Sequence, residues 1–292
     1  MVPARAPAPP QHWRRGDVPR HLPPEEVLYR SAVCEVGRQR ALFSLGTVGR
    51  FLVVPGEATT VEASPGSTEN DIDCMLRGPV AALRSCMTGL FCLRGAAVVI
   101  AGRSVALCAA GLGASTLAAA LALRGHRLVA DGVVTVALKD AGFELGAAPE
   151  AGPRPSVTLW PDSATALGLA GSDGAEVRPG LASRRFWLGT GSVVAAGAPR
   201  SCGVVALTVD GRLGPEPPLV RADKLQASKR ISVLTEHEWF PTLPAALGLA
   251  GEHFDWATTI ASKVPFVLVN RDPGPPRRGL GELVALLEEM SP

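Results

Sequence analysis

The sequence predicts an α/β fold, a mixed sheet with flanking helices, and three neighbouring segments carry that expectation. Ala96–Ile100 and Ser104–Cys108 are short apolar runs around Ala101-Gly-Arg103, which reads as a hairpin whose second strand runs into a glycine segment. Ser115 to Arg124 is an uncharged, alanine-rich stretch closed by Gly125, the composition of a buried helix with a glycine C-cap. Arg127-Leu-Val-Ala130 follows as the next strand. A strand–helix–strand crossover is right-handed and usually parallel, so Asp131 should lie at the same sheet edge as the glycine segment.

Composition sets the outer limits. In 292 residues, 47% are apolar, enough for a packed core. A net charge of +2 gives no field that would favour nucleic acid or an anionic membrane, and neither is expected as a partner. The six cysteines (34, 74, 86, 92, 108 and 202) contain no C-x-x-C pair, which argues against zinc or a disulfide framework and for a reducing cytoplasm. Residues 104–123 are uncharged and long enough for a bilayer. Gly111, Gly113, Ser115 and Thr116 interrupt them, so the two halves fit a strand and a helix better.

The remaining elements can be read in order. Residues 1–28 are proline-rich at the start, without hydrophobic periodicity, and read as a flexible tail. Ala41–Leu45 and Arg50–Val54, punctuated by Gly46, Gly49 and Pro55-Gly56, predict an antiparallel β layer over about 29–90, which ends in a helix near 78–91 beginning at Pro79. The core spans about 91–210. After Asp131, Val133–Leu138 reads as a separate strand, and Val157–Pro161 as a strand leading to a helix. Val193–Ala195, Gly203–Val209 and Ile231–Leu234 are strand-like, and the region from about 211 to 292 ends in a helix with Leu283, Val284, Leu286, Leu287 and Met290 on one stripe.

The glycine segment carries the chemistry. A phosphate loop, G-x-x-x-x-G-K-[ST], needs glycines for backbone approach, a lysine for the outer phosphates and a hydroxyl for magnesium. Over 108–116, Gly113, Ser115 and Thr116 stand in that register, with Gly111 inside the loop, whereas Ala114 takes the lysine position and Cys108 that of the first glycine. The helix start could still attract an anion through its free N–H groups. Cys92 and Cys108 read as small buried hydrophobes rather than nucleophiles. Glu236–Phe240 and Glu252–Trp256 lack a metal-ligand spacing and read as amphipathic helical surface. The basic run Arg221–Arg230 reads as a solvated face.

In Ser115-Thr-Leu-Ala-Ala-Ala-Leu121, Arg124-Gly-His-Arg-Leu-Val-Ala-Asp131, Leu159-Trp-Pro161 and Val264-Pro-Phe-Val-Leu268, the chain resembles the C-terminal domain of HPr kinase/phosphorylase and its stand-alone relatives, over roughly residues 40 to 290. The resemblance implies a phosphate-loop fold related to phosphoenolpyruvate carboxykinase for residues 29–292, and a serine kinase acting on a peptide or small protein, often as a homo-oligomer. It also implies a nucleotide site at Gly111, Gly113, Ala114, Ser115 and Thr116, with magnesium at Ser115 and Asp131. In such kinases a loop lysine, a strand histidine and an aspartate pair do the chemistry. Here Ala114 replaces the lysine, Arg94 the histidine and Gly132 the second aspartate, leaving Asp131 and Arg94 as the catalytic candidates. Magnesium-ATP is therefore expected to bind weakly or not at all. The expected function is a pseudokinase that binds a peptide or protein partner or helps to modify it, for instance in peptide natural-product maturation. The alternatives are an enzyme repurposing the cleft and a serine kinase with Arg94 as a displaced cation.

Overall fold

The computed structural model describes residues 13–109, 111, 113–139, 142–148, 155–188, 202–209, 220–271 and 278–290. The described residues begin with β1 (Trp13–Arg15), β2 (Tyr29–Arg30), β3 (Cys34–Val36), β4 (Ala41–Leu45), β5 (Gly49–Val53) and β6 (Thr59–Ala63), which form one sheet in the order β1-β6-β5-β4-β3-β2. Every pair in it is antiparallel except β1 with β6. Residues 13–28 thus belong to the folded layer instead of the flexible tail the prolines suggested. Val18 and Leu22 are buried against Leu42, and the Val18 and Leu22 amides donate to the carboxylates of Glu62 and Glu35, both at 2.8 Å. Two apolar anchors and satisfied backbone donors outweigh the lack of periodicity.

Next come α1 (Glu69–Met75) and α2 (Ala81–Met87). A reciprocal cap between Thr68 and Asp71 starts α1. The helix expected over 78–91 is shorter, because Gly78 leaves helical geometry just before Pro79 and Phe91 already begins a strand.

A seven-stranded sheet forms the centre. Its first members are β7 (Phe91–Ile100) and β8 (Arg103–Cys108), joined by a tight turn in which Ala101 and Gly102 both take positive φ. Then follow α3 (Ala114–Leu123), β9 (Arg127–Lys139) and β10 (Gly142–Ala147). A three-stranded sheet comes from β11 (Ser156–Leu159), β12 (Ala175–Glu176) and β13 (Arg184–Trp187), with α4 (Pro161–Ala166) after β11. The chain closes with β14 (Cys202–Val209), β15 (Val220–Lys224), α5 (Ala227–Glu236), α6 (Leu243–Ala246), α7 (Ala250–Lys263), β16 (Phe266–Arg271) and α8 (Leu280–Glu289). Strand order is β10-β9-β7-β8-β14-β16-β15, parallel only across β8–β14 and β14–β16, so the fold is mixed α/β.

Period-two alternation builds both faces of this sheet. Ala96, Val98 and Ile100 with Val105 and Leu107 pack under α3 and α8, and Ala97, Ala106 and Cys108 pack with residues of α5 and α7 on the opposite face. Two strand expectations change. Val133–Leu138 continues β9, which runs unbroken through Gly132 at φ +86°. Ile231–Leu234 lies in α5, where Val233 and Leu234 are buried, so helical packing overrides the β preference of its branched residues. Val193–Ala195 lies outside the described residues. The uncharged stretch 104–123 divides into β8, the loop and α3, and no described helix is long and apolar enough to cross a membrane.

Candidate functional site

The loop between β8 and α3 opens a cavity of about 450 Å³. Gly111 and Gly113 hold φ of +85° and +102°, a region open to glycine at little cost, and Gly113 caps α3. The N–H groups of Ala114, Ser115 and Thr116 open the helix, where no preceding turn supplies carbonyl partners. β7 contributes Arg94. Beyond Gly95, where β8 has ended, segment 237–239 lies along β7 instead: the Arg94 and Trp239 amides donate to the His237 and Cys92 carbonyls at 2.6 and 3.0 Å. A side chain at Gly95 would meet the Leu107 carbonyl oxygen at 2.2 Å, which fixes glycine at this crossing.

All five loop and helix candidates and Arg94 line this one cavity, together with Gly132, Trp160, Glu236, His237 and Trp239. Asp131 lines an adjoining cavity of about 400 Å³, with Ser115, Gly132, Thr158 and Trp239 shared between the two. Ser115 Oγ donates to Asp131 Oδ1 at 2.7 Å, and the Thr158 amide donates to Oδ2 at 2.9 Å. Burial pushes the Asp131 carboxyl up to about 6, against the opposing pull of the Ser115 and Thr158 hydrogen bonds and the Arg185 guanidinium. Arg185 is itself ion-paired with Asp73.

Other candidates are engaged elsewhere. Thr116 is buried and its hydroxyl donates to Ser163 Oγ at 3.0 Å, tying α3 to α4. Arg94 is exposed, and its guanidinium donates to the Glu236 carbonyl at the end of α5 at 3.1 Å. Cys108 is fully enclosed, and burial pushes its thiol up to about 12, the state of an inert core residue. Glu236–Phe240 departs from the helical surface the sequence suggested. His237 and Glu238 are buried, Glu238 accepts from His253 at 2.9 Å, and the Trp239 indole donates to the Gly132 carbonyl at 3.0 Å.

This residue set fits magnesium-ATP poorly. Ser115 and Asp131 could face a cation, but Ala114 offers a methyl group where the outer phosphates need a positive charge. Gly132 adds no carboxylate, and among the described residues no group of three histidine, cysteine, aspartate or glutamate side chains is placed to hold a metal. The residues missed in the sequence are Thr158, Trp160, His237 and Trp239. The Glu236-His-Glu-Trp239 cluster was a visible signal for two of them, but its pairing with β7 is not local.

No family model matches the chain, and no curated protein matches it in sequence. Among solved structures, the HPr(Ser) kinase/phosphatase from Coxiella burnetii aligns over 68% of this chain and 92% of its own, at 13% identity and a TM-score of 0.30.

Proposed function

We propose that this chain is an HPr kinase-like pseudokinase of the cytoplasm, which has lost tight magnesium-ATP binding and holds a peptide or small protein for modification, as in peptide natural-product maturation. One observation carries the loss: the cavity keeps the Ser115–Asp131 pair at 2.7 Å while position 114 supplies no cation and position 132 no carboxylate. Truncating one partner of a desolvated charge pair costs about 2–5 kcal/mol, enough to weaken phosphate binding by orders of magnitude. The loop glycines and the uncapped start of α3 remain, which suits a site descended from phosphate binding. The partner role rests on the resemblance, whose enzymes act on a peptide or small protein.

A second reading has its own observation. Arg94 lines the same cavity as Ala114, so a divergent serine kinase could recruit it as the phosphate contact. Its guanidinium would have to leave the Glu236 carbonyl, and its planar fork does not replace a lysine point charge. Calorimetric titration with magnesium-ATP separates the two. The pseudokinase reading expects no saturable heat, and micromolar affinity lost in Arg94→Ala would establish the kinase reading instead.

A further inference from the structure

The cavity of about 400 Å³ that adjoins the loop cavity is walled by α1, β9, β11 and β13, and two guanidinium groups line it. Arg77, just before the break in helical geometry at Gly78, donates through Nε to both oxygens of Asp73 at 2.8 and 2.9 Å. Arg185 on β13 donates through Nη1 to Asp73 Oδ2. The two arginine side chains are only 12% and 11% exposed, so two cations share one carboxylate where water screens little.

Asp73 engages only part of Arg185. Its Nε and Nη2 have no hydrogen-bond partner among the described residues, and neither atom is enclosed by protein, so both open onto the cavity that the side chain lines. Asp131 acts on this guanidinium through charge alone, because its oxygens accept from Ser115 and the Thr158 amide. Nε and Nη2 form one edge of a planar fork, whose two parallel N–H groups match the two oxygens of a carboxylate. Donors left without an acceptor in such a place cost stability. Charge narrows the choice of ligand. Two arginines stand against Asp73 and Asp131, which leaves no surplus for a dianion such as a phosphate monoester, whereas a planar monoanion asks for no more than the fork. Met75, Val177 and Leu181 line the same cavity and suit an aliphatic stem.

We propose that this cavity holds a carboxylate of the bound peptide, an acidic side chain or the chain end, on the Nε–Nη2 edge of Arg185. The inference rests on the reading above that the cleft receives a peptide, and it adds the chemical group by which the peptide is selected. The test titrates the full chain, followed by NMR at pH 7 and matched ionic strength, with three alanine-based pentapeptides: one capped with a central glutamate, one capped with a central glutamine, and one with a central glutamine and a free C-terminal carboxylate. At least one carboxylate peptide should bind about tenfold or more tightly than the neutral one, the factor given by a charge-assisted hydrogen bond. A preference for the glutamate peptide assigns the site to a side chain, and a preference for the free end assigns it to a C-terminus. In Arg185→Gln the ratio should fall to about one, with Asp73 still held by Arg77. Arg185→Lys, a point charge without the fork, should keep only part of the preference and decides the matter if the glutamine variant does not fold. Equal affinities for the three peptides, no binding of any, or an undiminished ratio in either variant would each overturn the inference. Micromolar magnesium-ATP affinity would sink the pseudokinase reading alone and leave this ratio standing.

Discussion

The Ser115 hydroxyl donates to Asp131 Oδ1 over 2.7 Å, joining the first turn of α3 to β9, which β7 separates in the sheet from β8, the strand leading into α3. This contact, with the Thr158 amide on Oδ2, holds a half-buried carboxyl whose proton leaves only near pH 6. The folded state therefore keeps its proton longer than the unfolded chain, where an aspartate titrates near about 4. Stability from Asp131 is highest below about pH 4 and falls as pH rises towards 6. Asp131→Asn, which stays neutral and whose amide oxygen can accept from the Thr158 amide while its NH2 donates to Ser115 Oγ, should be more stable than wild type at pH 8. The gain is on the order of 1–2 kcal/mol and should vanish near pH 4. Urea unfolding midpoints at the two pH values check it, and an equal deficit at both would refute it.

Gly95 and Gly132 face each other across β7 and β9 and should respond differently to alanine. At Gly95 the new methyl collides with the Leu107 carbonyl, for a cost of about 3 kcal/mol or more. At Gly132 there is open space but φ is +86°, so the cost should be about 1–2 kcal/mol of backbone strain. Thermal unfolding of both variants should rank Gly95→Ala well below Gly132→Ala; the reverse order would contradict the strand crossing described above.

Glu288 accepts from Arg124 and His126 and fastens α8 to the end of α3. The Arg124 hydrogen bond, then that of His126, pulls its carboxyl down to about 2. Its stabilisation is present above the ordinary glutamate range and is lost as pH falls towards 2. Glu288→Gln should thus lower the melting temperature at pH 7, with the gap to wild type narrowing between pH 5 and 3. A gap that widens in acid would exclude this role.

The central hairpin, α3 and the approach of Asp131 to the loop were legible because local signals and the crossover rule agree there: alternating apolar residues, Gly102 in the turn, and Gly113 and Gly125 around the helix. Non-local pairing hid the rest. Residues 13–28 gain their order from Leu42, Glu35 and Glu62, which are distant in sequence. Ile231–Leu234 has strand-like composition, yet its burial against the far face of the sheet settles on a helix. His237 and Trp239 enter the site through contacts with Cys92, Arg94 and Gly132, which no spacing rule exposes. Arg94 and Ser115, by contrast, were identifiable by register with a known motif, and they line the same cavity.

The central claim is that the loop lost nucleotide affinity with its cation, and the most direct measurement is magnesium-ATP titration of wild type beside Ala114→Lys. The lysine is introduced alone because an aspartate at Gly132 would carry the strain of a left-handed residue. Wild type should show no saturation up to about 1 mM, and Ala114→Lys should gain at least about tenfold in affinity, which corresponds to about 1.4 kcal/mol from the restored charge contact. Micromolar affinity in wild type, or a well-folded Ala114→Lys with no gain at all, would contradict the account.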